Sequence, residues 1–419
     1  MTDFIQKNRK INILSWLVII MGFVSINRLD QYTSWIVSFA FYYLCFILKS
    51  PKAYTNNKLL TVYLIYLSIE IIRGIFIADG YWEYKNLITG ALALLMPSML
   101  LIFESPYISG AILNRWFKIG LPLYIVALLL DLALGASHLY LGFVLVWGCF
   151  IPIITNKKYK IIFLFLLLLM ITGALDDRAQ AIKATLALIF TCLLYFKVFL
   201  KNWVLKTITI FFFLCPAILI FLGIIGKYNF FEEGITPIVN LIGVSSDKSD
   251  IAQADTRTFI YVDVIKSSMD NNYIFLGNTP ARGNRSSIYD LNIIDVSLDV
   301  TKKGERHYNE LCHLNVYTWI GLIGLVFYSL FYIRAAYLAV FKSKSLYMQI
   351  LGCFIAFKWM FGWIEDINLF NIQNISIWMA IAICSSSHFL QMSNKQFKYW
   401  LNNLFNQHYK YKQHKLIKN

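Results

Sequence analysis

Charge is scarce in this chain of 419 residues: 15% are Asp, Glu, Lys or Arg and 58% are hydrophobic. A soluble domain carries roughly 25% charge, so the balance excludes a soluble globular protein, a disordered chain and a secreted disulfide scaffold. Also absent are a Gly-rich phosphate loop, HExxH, GxSxG and an acidic metal pair set in a nucleotide-binding domain. Nothing leaves room for an ATPase or a dinucleotide-binding domain. Energy for any reaction must come from a gradient or from an activated, membrane-borne substrate. The seven cysteines show neither CxxC pairing nor zinc spacing, so no disulfide framework or structural metal is implied. Six of them (Cys45, Cys149, Cys192, Cys215, Cys353 and Cys384) lie in apolar runs and read as small hydrophobes; only Cys312 falls near a polar segment. There is no internal repeat and no low-complexity tract.

What the chain has instead is long apolar segments. Mean hydropathy is +0.59, and 17% of residues are aromatic, which suits belts at membrane interfaces. The segments fall at 11–27, 32–48, 59–78, 87–103, 117–134, 138–154, 160–175, 179–196, 205–225, 314–341, 346–363 and 371–390. Most approach the ~20 residues that a helix needs to cross the hydrocarbon. The expected fold is an all-α integral membrane protein with about 12 transmembrane helices. The first segment follows Lys7, Arg9 and Lys10 and has no small-residue cleavage site, so it reads as a retained anchor.

Alternate loops differ in basic residues. One set, including both termini, holds most of the Lys and Arg; the short loops of the other carry only Arg28, Lys85 and Arg178. By the positive-inside rule the first set is cytoplasmic, and both termini with it. The formal net charge of +15 is therefore a topology signal and gives no reason to expect nucleic acid. Lys410, Lys412, Lys415 and Lys418 in the tail are placed against anionic headgroups of the bilayer. The expected organisation is spans one to nine over 1–225, a large external loop over 226–312 between spans nine and ten, three further spans over 313–390, and a basic cytoplasmic tail over 391–419.

A structureless loop as long as 226–312 would be unusual, so it should hold its own helices and a function. Phe259, Val262 and Ile265 fall at helical spacing, with Asp255 as an N-cap, which predicts a short amphipathic helix at the membrane surface or packed on the bundle. Gly277, Pro280 and Gly283 then break the chain.

The external side is net acidic, so its arginines are local exceptions: Arg178, Arg257, Arg282, Arg285 and Arg306. A guanidinium pairs bidentately with phosphate oxygens and stays charged at any relevant pH. Arg178 follows Asp176 and Asp177, so a salt bridge there is as good a reading as an anion site; Lys183 lies further along the same helix. Two of the six histidines, His307 and His313, stand close together beside Glu310, before a span containing Gly321 and Gly324. Histidine titrates near neutrality and can act as a general base, with a carboxylate to orient it. A loop position for His307 and a helix interface for His313 are the plain alternatives. Among intramembrane charges, Glu70 and Arg73 are three apart and either pair or meet substrate; Lys358 faces a cavity, with Glu365 or Asp366 as partners.

These features resemble the bacterial O-antigen polymerase/ligase superfamily. Thr172, Gly173 and Arg178 resemble its segment in which an arginine follows a span and opens the next helix. Asp255, Thr256 and Arg257, with Leu276 and Gly277, resemble the start of its loop domain. His307, Asn309 and Glu310, running into Gly321 and Gly324, resemble its His-Asn element before a Gly-x-x-Gly span. The ligase pattern would place His-Asn where Glu310 and Leu311 stand, with His307 three residues earlier and His313 three later, which favours a polymerase of the Wzy type.

The resemblance implies transfer of a growing glycan from undecaprenyl pyrophosphate to another lipid-linked repeat unit, at the outer face of the inner membrane, yielding O-antigen or capsular polysaccharide. It implies no cofactor and no metal. Arg178, Arg257, Arg282 and Arg285 would hold the pyrophosphate. His307 or His313, with Glu310, would serve catalysis, and Glu70, Arg73 and Lys358 would support the site within the membrane. The partners implied are the lipid-linked oligosaccharide, the bilayer, a flippase and a chain-length regulator. An O-antigen ligase acting on a lipid A core, and a flippase or secondary transporter of a lipid-linked saccharide, remain as alternatives.

Overall fold

The computed structural model describes residues 2–26, 31–48, 57–131, 141–173, 178–197, 201–224, 258–286, 304–364 and 368–406. They are almost wholly helical. In chain order the helices are α1 (Thr2–Ile26), α2 (Gln31–Leu48), α3 (Lys58–Ile77), α4 (Tyr81–Leu94), α5 (Leu100–Phe103), α6 (Pro106–Arg115), α7 (Leu121–Asp131), α8 (Gly142–Gly148), α9 (Lys157–Gly173), α10 (Arg178–Phe196), α11 (Asn202–Ile224), α12 (Thr258–Asp270), α13 (Cys312–Tyr337), α14 (Leu346–Phe361), α15 (Ile372–Ser385), α16 (Ser387–Leu390) and α17 (Asn394–Asn403). Two short strands, β1 (Asn284–Arg285) and β2 (Glu305–Arg306), pair antiparallel.

Among the described residues, four stretches are long and apolar enough to cross a membrane: Lys58–Ile77, Tyr81–Phe103, Asn202–Leu222 and Cys312–Lys342. Shorter apolar helices accompany them at Tyr32–Leu48, Gln180–Phe196, Leu346–Phe361 and Ile372–Ser385. Two expected segments fold differently from the hydropathy reading. The described part of 117–134, which ends at Asp131, continues a helix that begins at Pro106 and passes through a π turn at Trp116–Gly120. Within 138–154 the described part is the short helix α8 and a 3-10 turn at Ile151–Ile153, where Pro152 cannot donate a helical bond. Its residues are buried on every side, so their apolarity reflects a protein core as much as lipid.

Helix α15 lies at the centre. Nearly every residue from Ile372 to Cys384 is buried, as expected for a helix that is apolar all round. It packs on α5, α8, α13 and α14. Helices α3 and α11 instead turn Ile65, Ile69, Ile72, Phe211, Leu214 and Phe221 outward, a face suited to lipid.

Helix breaks set the architecture. In hydrocarbon an unpaired backbone group costs several kcal/mol, so each break must be satisfied by protein. Helix α4 ends ahead of a 3-10 turn at Met96–Met99 that holds Pro97. Tyr42 and Tyr63 donate their hydroxyls to the Leu92 and Leu94 carbonyls, at 2.6 and 2.8 Å. The larger break is in α13. Ile320 and Gly321 leave the helical region, with Gly321 at φ 65° and ψ −172°. The turn that follows α12 fills it. Asn278 N–H donates to Thr318 O at 2.6 Å, Leu322 N–H to Ile274 O at 2.9 Å and Ile323 N–H to Phe275 O at 3.2 Å. Tyr66 caps the Ile320 carbonyl at 2.7 Å. Gly321 admits the backbone of this turn.

Helix α12 matches the helix expected near 255–269, but with a different buried face. Ile260 and Val264 pack on Leu311 and Leu314, whereas Val262, Ile265 and Met269 stay exposed. Asp255 lies outside the described residues.

A Cβ at position 321 would stand 2.2 Å from Phe275 O, in a backbone region open essentially to glycine alone. Gly321→Ala is therefore expected to destabilise the protein by about 2–4 kcal/mol and to speed tryptic cleavage around Arg282 and Arg285. Gly80→Ala, where nothing lies within 4 Å, should leave both unchanged. Thermal melting in detergent and timed proteolysis check this.

Candidate functional site

The segment after α12 is clamped to the bundle by two arginines. Arg73, near the end of α3, pairs with Glu70 at 3.0 Å and donates to the carbonyls of Leu276 (3.1 Å) and Gly277. Of the two readings of Glu70 and Arg73, the structure supplies the pair and adds a tether to the turn. Arg282 grips Glu305 with Nε at 2.7 Å and Nη2 at 2.5 Å, and Glu83 of α4 lies 3.9 Å from Nε. The Glu305 carboxylate, hydrogen-bonded to the guanidinium, raises the Arg282 pKa above its ordinary value. A pyrophosphate at Arg282 would have to displace Glu305. Arg285 has an exposed side chain, and its backbone N–H donates to Ser267 Oγ at 2.9 Å. Arg178 opens α10, as expected, but its side chain lies outside the described residues, and so does all of Arg257.

Beyond β2 the chain delivers His307 into the interior. The imidazole is 1% exposed, stacks on Trp319 at 5.2 Å between centroids and meets the edge of Tyr308 at 4.5 Å. Trp319 Nε1–H in turn donates to His307 O at 3.2 Å. His307 Nε2 lies 2.8 Å from Pro280 O. A carbonyl only accepts, so Nε2 carries the proton and Nδ1 presents its lone pair. Nδ1 is buried and has no hydrogen-bond partner among the described residues. Burial lowers the His307 pKa to about 4, with the Pro280 carbonyl opposing more weakly, so the ring is neutral at physiological pH.

Thr279 Oγ1, Thr318 Oγ1 and Asn309 Oδ1, on chain neighbours of Pro280, Trp319 and Tyr308, are also buried with no hydrogen-bond partner among the described residues. Buried polar atoms are seldom left unsatisfied, so these make the stretch a candidate site. Thr279 also sits at φ 66°, a strained conformation for a β-branched residue, and such strain gathers at functional sites. Asn309 is held firmly. Its N–H donates to Asn315 Oδ1 at 2.6 Å, its carbonyl accepts from Asn315 Nδ2 at 2.8 Å, and its Nδ2 donates to Asn284 Oδ1 at 2.9 Å.

The two histidines separate by environment. His313 is locked between helices: Nε2 bonds Trp359 O at 2.8 Å, its N–H donates to Gly362 O at 3.2 Å, and Trp363 lies 4.7 Å away. That is the helix-interface position. Glu310 is 52% exposed and pairs with Arg306 at 3.9 Å, on the outer side of the segment. The site is therefore built on His307, with Asn309, Thr279, Thr318 and Trp319 around it. The roles of Thr279, Thr318 and Trp319 escaped the sequence reading. The one signal was a polar Asn315 and Thr318 at i, i+3 inside an apolar span.

Lys358 is buried near the end of α14, with Nζ 5.9 Å from the centre of the Phe361 ring. Its expected partners Glu365 and Asp366 lie outside the described residues.

The depressed His307 pKa sets a pH dependence. Between about 6.5 and about 4 the unfolded chain takes up a proton at His307 that the folded chain refuses. Stability therefore falls as pH drops through that window and levels off below it. At pH 4.5 the loss relative to pH 7 is expected to be on the order of 2 kcal/mol larger for wild type than for His307→Gln. Melting both proteins at the two pH values measures it. Against this geometry, no protein-family model, no curated protein and no solved structure matches the chain.

Proposed function

We propose that the protein is a membrane-embedded glycosyltransferase that polymerises undecaprenyl-pyrophosphate-linked repeat units into O-antigen or capsular polysaccharide. The chain would lie in the bacterial inner membrane with about twelve spans and both termini in the cytoplasm. A flippase and a chain-length regulator would be its partners. The observation that carries the reading is the neutral His307 imidazole, whose buried Nδ1 lone pair is unclaimed among the described residues.

In this reading an acceptor sugar hydroxyl donates its proton to His307 Nδ1 as its oxygen attacks the donor's anomeric carbon. The bond from that carbon to the pyrophosphate oxygen breaks, and its electron pair leaves with undecaprenyl pyrophosphate. Direct displacement inverts the anomeric centre. Fixed cations stabilise the charge developing on the leaving group; Arg178 and Arg257 are assigned that work, since Arg282 is engaged by Glu305. The polyprenyl tails run along the apolar outer faces of α3 and α11. Acceptor access to Nδ1 requires the 304–311 stretch to move, because the ring is buried. Glu310 is then a partner of Arg306 at the rim, and His313 a packing residue.

His307→Gln is expected to lower polymerisation by about 10²–10⁴-fold, the usual contribution of a general base, and Arg178→Ala and Arg257→Ala to leave single-repeat glycans while the protein still inserts. His313→Gln should reduce stability and spare chain length. Glycan ladders from cells carrying each variant decide the matter. Normal long chains in the His307 and arginine variants would sink the reading. Unligated polymer left on undecaprenol would point to a ligase, and saccharide counterflow in proteoliposomes to a transporter.

A further inference from the structure

The helix that leads into the inserted turn is polar on its buried side and apolar on its open side. In α12, Asp263, Ser267 and Ser268 are buried. Asp263 accepts from Ser286 Oγ, Ser267 Oγ accepts from the Tyr273 hydroxyl at 2.7 Å and from Arg285 N–H at 2.9 Å, and Ser268 Oγ meets the Tyr317 hydroxyl at 2.8 Å. Val262, Ile265 and Met269, three and four apart on one stripe, are exposed, with Lys266 and Asp270 along its edge. The turn continues the pattern: Phe275 is 62% and Leu276 46% exposed.

This turn lies below the ends of the helices beside it. Arg73, which holds the Leu276 and Gly277 carbonyls, stands four residues, or ~6 Å, before the end of α3. A Cβ on Gly74 would stand 3.5 Å from Thr279, and one on Gly90 3.1 Å from Pro280. Gly90 is nine residues, or ~13 Å, into α4. Ala281 joins Ala78 and Leu87 in one apolar cluster. Both helices belong to stretches long and apolar enough to cross a membrane, so the chain after α12 dips beside them to membrane depth.

Non-helical backbone is tolerated at that depth only where protein satisfies its polar groups. The four successive carbonyls from Ile274 to Gly277 meet this condition: Leu322 and Ile323 N–H serve the first two and Arg73 the others. The side chains then adjoin faces suited to lipid. Leu322 and Ile323, bonded to the turn, are exposed on α13, and Ile72 and Phe76, on either side of Arg73, are exposed on α3. A soluble partner would not reach residues fastened to the open face of a membrane-crossing helix, whereas acyl chains continue that face.

We propose that α12 and the turn after it form a re-entrant membrane anchor whose partner is the bilayer. Phe275 and Leu276 sit among the acyl chains of one leaflet, near the level at which α3 ends. Val262, Ile265 and Met269 rest on the same leaflet, with Lys266 and Asp270 toward water. The anchor sets the height of His307, which is bonded to Pro280 O, near the membrane boundary. It goes beyond the glycosyltransferase reading and stands whatever chemistry the site performs.

Nitroxide labels test this without reference to polymer. Cys192 and Cys215, the two cysteines that are not buried, are replaced by Ala. Phe275→Cys, Leu276→Cys and Met269→Cys are then made singly in the full chain, labelled, and reconstituted into vesicles of phosphatidylethanolamine and phosphatidylglycerol. Collision with oxygen, which concentrates in hydrocarbon, is compared with collision with a water-soluble nickel chelate. Phe211→Cys, within the Asn202–Leu222 stretch, and Lys395→Cys, exposed on α17, give the lipid and water references. Labels at 275 and 276 are expected to collide more with oxygen than with nickel, as at 211 but at shallower depth. The label at 269 should fall between them and 395, where nickel dominates. Melting curves show which labelled variants are folded, and 275 and 276 probe the same point, so either suffices. Nickel dominance equal to that at 395 in the turn or at 269 would put the segment in water and overturn the proposal. Weak collision with both reagents would show a protein surface over the patch and overturn it equally.

Discussion

A backbone that enters hydrocarbon must find every hydrogen bond within the protein, and the break in α13 is where this chain meets that demand most openly. At Ile320–Gly321 the helix loses its regular bonds. The turn at 274–278 replaces them from outside the helix, with Asn278 donating to Thr318 O and the Ile274 and Phe275 carbonyls accepting from Leu322 and Ile323. The turn after α12 is thus fastened into the bundle by main chain. Backbone bonding of this kind depends little on side-chain chemistry, so it fixes position without consuming the polar groups that a site would need. Around the same break, Tyr66 and Arg73 of α3 complete the satisfaction of carbonyls at Ile320, Leu276 and Gly277.

The His307 niche follows from that docking. Thr318 and Trp319 stand just before the break, while Thr279 and Pro280 come directly after the inserted turn. The two stretches are held together by the inserted backbone, and His307 fits between Pro280 O and the Trp319 ring. Because Nε2 is committed to a carbonyl, the tautomer is set and Nδ1 is the basic atom. Thr279 is strained there and, like Thr318 and Asn309, keeps a buried oxygen with no partner among the described residues.

Among the described residues, two arginines hold the segment after α12 in place. Arg73 and Arg282 each meet a carboxylate and also join the segment to α3 or α4. Arginine residues that looked alike in the sequence therefore divide by partner. Among the described residues, Lys183 and Lys358 are buried within the helical bundle.

The sequence by itself determined the class of the molecule: low charge, long apolar runs and a polar segment near 226–312 are properties of composition, and composition decides whether a chain partitions into lipid. It also marked the short helix after 255 and the glycines that break the chain beyond it. It could not decide which face of that helix is buried, because Val262 and Ile265 are as apolar as Ile260 and Val264, and only the neighbouring Leu311 and Leu314 distinguish them. Nor could it choose between His307 and His313, which differ by six positions and almost nothing else in local pattern. Tertiary packing set one between helices against Trp359 and Gly362 and placed the other between the Pro280 carbonyl and the Trp319 ring. The reason is physical: hydropathy is a property of residues, but a lone pair is free or occupied according to what distant parts of the chain bring within 3 Å.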